Sequence, residues 1–454
     1  MLPGAPAGRL HYGAIVAESI RALAERHWNG EGDLVHAHHP VQPLLRRAAE
    51  ELDDGLLALK SIALVAALDT GDGLVMLDTG GAFDKDHVFD AVRAWRSGAP
   101  GRVAAAVYSH HHIDHVFGTK RFEAEAEELG SPPPVVYAHE AVPANFRRYE
   151  RTQGWNTAIN QRQFALPVEG WSFPGDYRYP DVTYQDRLTF RQGELTFHLH
   201  HALGETDDVT WTWVPERKLL HAGDLFIWAV PNAGNPQKVQ RYASDWAAAL
   251  REMAALGAET MLCGHGLPIF GADRIRAALG DTAEVLESVE QQVLVLMNQG
   301  AALDQVLHDV EIPAHLLEKP YLRPVYDHPQ FLVRNVWRRY GGWHDGEPDN
   351  LLPAPRSQQA REWVTLAGGV DRVLARVREL VAPRDADGYR LACHLVEFAV
   401  LAEPSSAEVH EVRAEVYAAR AEGYESSMAR NILNHAAVSS RDQCRDLATE
   451  GRRP

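Results

Sequence analysis

The chain of 454 residues has little cysteine, a deficit of basic charge and no long apolar run. Its three cysteines, Cys263, Cys393 and Cys444, are scattered without a Cys-x-x-Cys pair. That excludes a disulfide scaffold and fits a reducing compartment. No stretch approaches the roughly 18 apolar residues of a membrane-spanning helix, so no membrane span is expected. The Pro/Gly/Ala-rich start lacks a charged region followed by an apolar one, so no signal peptide is read there and the expected location is cytoplasmic. Lys and Arg number 45 against 62 Asp and Glu, a net charge of −17. Such a surface repels nucleic acid and anionic lipid, so no nucleic-acid partner is expected. A polyanionic substrate is disfavoured as well, unless metal ions locally invert the field. Hydrophobic residues at 45% and charged residues at 24% describe a globular protein and exclude wholesale disorder. At roughly 150 residues per domain, the length predicts two or three domains.

Residues 1–60 read as a helical and irregular lead-in, with helical spacing over Ile15 to Trp28. Short apolar runs then follow, beginning with Ile62–Leu68 and Leu74–Leu77 around the hairpin signal Thr70-Gly71-Asp72-Gly73. Strands are expected at Val103–Tyr108, Val135–Ala138, Leu195–Leu199, Val209–Trp213, Leu219–Ala222 and Thr260–Cys263. Helices are expected at Asp84–Trp95, Thr119–Leu129 and Ser244–Leu256. This mixture predicts an α/β layered sandwich over 61–305. Beyond it the strand signal stops, and helices are expected at Asp273–Asn298, Gln330–Arg339, Ser357–Leu366, Val370–Leu380, Tyr389–Leu401 and Ala407–Glu422. An all-helical domain over 306–438 and a flexible tail over 439–454 complete the expected organisation.

The chemistry-bearing feature is Ser109-His110-His111-His112-Ile113-Asp114-His115, directly after a predicted strand. His110 and His112 lie two apart, so in extended chain both point the same way. Asp114 and His115 are adjacent and diverge, which lets them reach a second metal. Imidazole and carboxylate suit zinc, and also iron or manganese. Three further segments place a ligand-type residue beside glycine after a predicted strand: Gly204-Glu205, Gly223-Asp224 and Gly264-His265. Asp78-Thr79-Gly80 adds a carboxylate of the same kind. Cys263 reads as an inert strand residue, and His36, His38 and His39 as a loop.

This ordered set resembles the metallo-β-lactamase superfamily. The resemblance implies an αββα sandwich with two Zn2+ ions. One is held by His110, His112 and Glu205, the other by Asp114, His115 and His265, with Asp224 bridging. It makes Asp78 a carboxylate that orients a ligand histidine. Catalytic roles fall to Asp224 and to Asp114, which can take up a proton of the bridging water. Glutamate at 205 looks like the alkyl sulfatase branch, although that branch tends to carry Glu where Asp224 stands. Val333 to Leu351, with Trp337-Arg338-Arg339-Tyr340-Gly341-Gly342-Trp343, is similar to the alkyl sulfatase dimerisation domain. A homodimer is therefore expected, with an apolar stripe of Val333, Val336, Trp337, Tyr340 and Trp343 as its face.

Eight aromatics fall in the 36 residues from Tyr149 to Tyr184, against 8% in the whole chain. The segment reads as a loop insertion, with a loop packing its own small core or an aromatic-lined pocket over the metals as the two alternatives. Candidate substrate contacts are Tyr149, Trp155, Asn160, Arg162, Tyr177, Asn232, Lys238 and Arg241. The expected activity is dinuclear zinc-dependent cleavage of an ester, a sulfate ester included, of an apolar or amphiphilic small molecule. The alternative is the same fold acting on a lactone, β-lactam or phosphodiester. A non-enzymatic interaction protein is the third reading, and the complete ligand set argues against it.

Overall fold

The computed structural model describes residues 19–32, 34–41, 48–97 and 101–450. Two sheets face each other. The first holds seven strands in sequence order: β1 (Ala48–Asp53), β2 (Leu56–Lys60), β3 (Leu64–Asp69), β4 (Leu74–Leu77), β5 (Val103–Val107), β6 (Val135–His139) and β7 (Val182–Tyr184). It is antiparallel from β1 to β4 and parallel from β4 to β7. The second holds β8 (Arg187–Gln192), β9 (Leu195–Ala202), β10 (Val209–Val214), β11 (Leu219–Ile227), β12 (Thr260–His265) and β13 (Ile269–Phe270). Here only β11 and β12 run parallel.

Alternation along the strands creates the layers. On β3, Leu64, Ala66 and Leu68 face the second sheet and its Phe197, Leu199, Trp211 and Leu220. Val65 and Ala67 point the other way, toward Val88 and Val92 of α3 (Lys85–Trp95), Phe122 of α4 (Thr119–Glu128) and Phe146 of α5 (Val142–Arg151). Burial on both faces explains why these strands read as unbroken apolar runs. The outer face of the second sheet is covered by α7 (Ala243–Ala254) and α8 (Ala272–Asn298), through Trp246, Leu250, Ile275 and Leu279. The four layers form an αββα sandwich, as the sequence predicts.

Three features depart from the sequence reading. Residues 48–60 form β1 and β2 and extend the first sheet, so the sandwich takes in part of the expected lead-in. Four consecutive buried leucines and alanines, Leu56 to Leu59, fix β2 there. Helix α1 (Ile20–Trp28) is present, with Ser19 accepting a cap bond from the Ala22 amide; the earlier residues lie outside those described. The expected loop insertion is partly helical, because α6 (Gln153–Phe164) occupies about a third of it. The expected tail is packed over its described part, and residues 451–454 lie outside those described. Ser439 and Ser440 are buried at the end of α16 (Ser427–Arg441), and Asp446 pairs with Arg162 and His435.

Beyond the sandwich the described chain is helical: α9 (Leu303–Asp309), α10 (Ala314–Leu317), α11 (Pro329–Gly341), α12 (Arg356–Ala367), α13 (Val370–Val381), α14 (Ala386–Ala402), α15 (Ala407–Glu422), then α16 and α17 (Leu447–Glu450). Helices α12 to α15 share a core of Val373, Leu374, Val396, Val400 and Val409. Helix α11 packs on α8 and α9, which buries Val333, Val336 and Trp337 within the same chain. These three therefore do not form a dimer face, and only Tyr340 and Trp343 of the expected stripe stay exposed. Between α2 (Leu34–Ala37) and β1, Val41 reaches a small cluster with Ile227, Val325 and Met428 that ties the helical part to the sandwich.

Candidate metal centre

The site forms where the two sheets converge at strand ends. The Asp78 amide donates to Val107 O, the Thr79 amide to His115 O, and the Thr210 amide to Ser109 O. These bonds fasten the loops after β4 and β5 to β10. Asp78 sits at φ 57°, a left-handed conformation that costs about 1 kcal/mol for a residue with a side chain. It is held there by what its carboxylate does. Oδ1 accepts from the Ser109 amide at 2.7 Å, and Oδ2 accepts from Ser109 Oγ at 2.8 Å and from His115 Nδ1 at 2.7 Å.

All seven expected ligand residues come together. His110, His112, Glu205 and Asp224 form one group, and Asp114, His115 and His265 another, each with its ligand atoms within 4.8 Å of one another. Asp224 lies between them. Its Oδ2 is 3.7 Å from His110 Nε2 and 3.3 Å from His265 Nε2, and its Oδ1 is 3.4 Å from His115 Nε2. The register of β11 against β12 slips on either side of Gly223, which leaves Asp224 on an irregular stretch turned to the centre. Glu205 Oε2 is 3.6 Å from His110 Nε2 and 3.5 Å from His112 Nδ1. His265 directs Nδ1 at the Ile62 carbonyl, 2.7 Å away. His115 likewise spends Nδ1 on Asp78, so both present Nε2 to the centre.

The residues present fit divalent ions. Glu205 Oε2, His115 Nε2 and Asp224 Oδ1 are buried without a hydrogen-bond partner. Cores rarely leave such atoms unpaired, and here they face one another as lone pairs. The electrostatics agree. Burial opposes charge on His115 and His265, yet the carboxylates of Asp224, Asp78 and Asp114 outweigh it. They raise His115 well above the usual histidine range and His265 to about 9. Burial pushes Asp224 up to about 6. Burial and neighbouring imidazoles hold His110 well below the usual range. Clustered carboxylates of this kind are relieved by cations.

Two of the expected substrate contacts bond Glu205. Arg241, 2% exposed, donates to Glu205 Oε1 at 2.6 Å, and Asn232 Nδ2 donates to the same oxygen. Arg241 thus braces a ligand residue rather than offering a free guanidinium to an anion. Burial works against charge on Glu205, but Arg241 and His112 hold its carboxyl well below the usual range. Behind the cluster, His111 Nδ1 meets Asp208 at 2.8 Å, and Arg148 Nη2 lies 3.1 Å from His111 Nε2. Cys263 is buried, its thiol pushed up by burial and directed at Leu267 O, which agrees with an inert strand residue.

A cavity opens over the cluster. His112, Asp114, Glu205, Asp224 and His265 lie at its floor, and Tyr149, Asn160, Asn232, Lys238 and Arg241 line it. Its walls are apolar: Val41, Ile62, Phe83, Ile113, Phe164, Leu166, Trp171, Phe173 and Ile227. Among the described residues Lys238 has no ion-pair partner; burial and the nearby Arg241 bring its ammonium down to about 8. Three expected contacts are elsewhere. Trp155 is 56% exposed and borders a neighbouring cleft. Arg162 points away from the cavity to Asp446. Tyr177 is buried against Phe146 beneath the first sheet. Conversely, Tyr326 and Gln163 line the cavity and are joined by a 2.7 Å bond. Asp327, beside Tyr326, accepts from the Gly234 and Asn235 amides and shapes the loop that carries Asn232.

Among the described residues, no helix is long and apolar enough to cross a membrane. Residues 60–265 match the family model of the metallo-beta-lactamase superfamily, and residues 302–443 match that of alkyl sulfatase dimerisation. Among curated proteins, the chain is 24% identical over 389 residues to a linear primary-alkylsulfatase of Pseudomonas, covering 79% of this chain and 70% of that protein. It is 26% identical over 403 residues to an (R)-specific secondary-alkylsulfatase of Pseudomonas, covering 84% and 60%. The chain thus spans about 60 to 70% of the length of these relatives. The solved inverting sec-alkylsulfatase Pisa1 from Pseudomonas superposes with a TM-score of 0.78 at 23% identity, over 87% of this chain and 66% of that one. With the αββα layers, the strand-end histidines and both family matches in place, residues 60–265 form a domain of the metallo-β-lactamase superfamily and residues 302–443 an alkyl sulfatase dimerisation domain.

Proposed function

We propose that the protein is a dinuclear zinc hydrolase of the alkyl sulfatase type that cleaves a sulfate ester of an amphiphilic small molecule. The observation that carries this reading is seven imidazole and carboxylate side chains converging at the floor of an apolar-walled cavity. His110, His112 and Glu205 would hold one ion and Asp114, His115 and His265 the other, with Asp224 shared. Bound there, such ions lower the pKa of water toward ~7 and polarise the oxygen of the bond to be cleaved. The protein's own side chains do the rest. Asp114, a quarter exposed at the cavity floor, accepts the proton released on attack. Lys238 and Asn232 hold the anionic head group beside the floor. Phe164, Leu166, Trp171 and Phe173 take the alkyl part and exclude water from it. Asp78 and the Ile62 carbonyl keep His115 and His265 in the ligating orientation.

The alkylsulfatases among the relatives support the sulfate ester, and the sparse unpaired cysteines support a cytoplasmic setting. A panel of one alkyl chain as sulfate ester, carboxylic ester, phosphodiester and lactone tests the reading. Release of inorganic sulfate should dominate, and should stop on chelation. Carboxylic acid release exceeding sulfate release would replace the substrate class.

A further inference from the structure

A second cavity lies in the helical part, and none of the seven candidate metal-ligand residues lines it. Its volume is about 400 Å³. Five arginines from four segments converge on it: Arg162 of α6, Arg356 at the start of α12, Arg413 and Arg420 of α15, and Arg445 before α17. Only two carboxylates oppose them, Glu397 and Asp446, so three positive charges are in excess in a chain of net −17. Part of the cluster is an internal network. Arg413 donates to Glu397 Oε1 at 2.6 Å, Arg445 lies 3.3 Å from Glu397 Oε2, and Arg162 pairs with Asp446. Among the described residues, Arg356 and Arg420 have no carboxylate partner. There Arg420 reaches Tyr424 OH, at 3.5 Å, and the Cys393 side chain, and its Nε is buried without a partner. His394 adds a further donor at the rim.

Guanidiniums repel one another, and a cavity wall is a poor place to collect them unless an anion completes the charge. We propose that this cavity is a ligand site for a small dianion of the oxyanion class, a sulfate, phosphate or paired-carboxylate group, held by Arg356, Arg420 and His394. Planar guanidiniums match such oxygens in pairs. Elsewhere the acidic surface repels anions, so the cationic cavity focuses them.

Titration calorimetry of the full chain tests this with sodium sulfate, phosphate and citrate at ionic strength fixed by sodium chloride. At least one should bind saturably with about one equivalent per chain, and the preferred ion identifies the source. Binding should persist in His112→Ala and weaken at least about tenfold in Arg420→Gln and Arg356→Gln. Arg356 is exposed and makes no ion pair, so Arg356→Gln carries the test even if Arg420→Gln does not fold. Undiminished binding in Arg356→Gln, loss of binding only in His112→Ala, or a response no larger than that to chloride would overturn the proposal. So would no anion binding by the wild type together with dissociation of a dimer in Arg356→Gln, which assigns the cavity to a carboxylate of a second copy.

Discussion

Glu205 shows how one residue's role is set by what surrounds it. One oxygen is occupied by Arg241 and Asn232, and the other faces His110 and His112 unpaired. Glu205→Gln keeps the shape but leaves Arg241 buried without its carboxylate. We expect a loss of about 3–5 kcal/mol in stability for the metal-free protein. Activity should fall by more than the roughly 10- to 100-fold typical of changes outside the ligand set, with selective weakening of one metal. Denaturant melts and metal content of the variant check both. Asp208 permits a pH prediction. Burial opposes its charge, but His111, Thr206 and Asn145 outweigh it and hold its carboxyl below the usual range. A carboxyl depressed on folding adds stability above the unfolded value of about 3.9, and that stability is lost as pH falls below it. Asp208→Asn should therefore be less stable by about 2–3 kcal/mol at pH 7, with the gap to wild type closing below about pH 4. A constant gap across that range would contradict the assignment. The ligand-type residues were legible because each follows a strand and stands beside glycine or in the histidine run. Arg241 was legible only as a cation, since nothing in sequence spacing says that it braces Glu205. Trp155, Arg162 and Tyr177 were misread because an aromatic or basic count carries no information on which way a side chain points.

Among elements, β11 and α6 position the site. Gly264 lies where β12 passes Asp224. A Cβ there would come within 2.0 Å of Asp224 Oδ1 and 2.6 Å of the Gly223 backbone. Gly264→Ala must push Asp224 from its place between the two histidine groups. We expect at least a 100-fold loss of activity and reduced metal content, with a far-ultraviolet dichroism spectrum like that of wild type. Full activity would show that β11 yields without cost. Helix α6 was not legible. Its Asn156, Thr157, Asn160, Gln161 and Gln163 are buried, so polar residues occupy the positions where apolar ones announce a helix. It is sandwiched between the cavity and α16, and its amides satisfy backbone of the following loop, as in Gln161 to Pro167 O and Val168 O. Strand β1 hid for a related reason. Its polar edge residues, Glu50, Glu51 and Asp53, mask the pairing with β2.

At the scale of the molecule, the sandwich supplies the chemistry and the helices supply a surface. With Val333, Val336 and Trp337 packed internally, exposed apolar residues beyond Tyr340 and Trp343 include Trp363 and Leu366 on α12 and Leu391 on α14. Exposed groups of this kind mark interfaces. We expect a two-fold homodimer through this face. Leu366→Glu should convert it to a ~50 kDa species at micromolar concentration, read by light scattering. A wild-type protein already monomeric there would refute the interface. The helical domain and the sandwich were both legible, from apolar periodicity and from strand-end motifs. The bond between them was not, because Tyr326 lines the cavity and Asp327 holds the Asn232 loop about 60 residues after the last ligand-type residue, with no local pattern to mark them.

If seven side chains build one two-metal centre, elemental analysis of the purified, zinc-supplemented full chain should find two equivalents of divalent metal per chain, falling to one or none in His112→Ala together with activity. One equivalent or none in the wild type, or an unchanged content in His112→Ala, would contradict it.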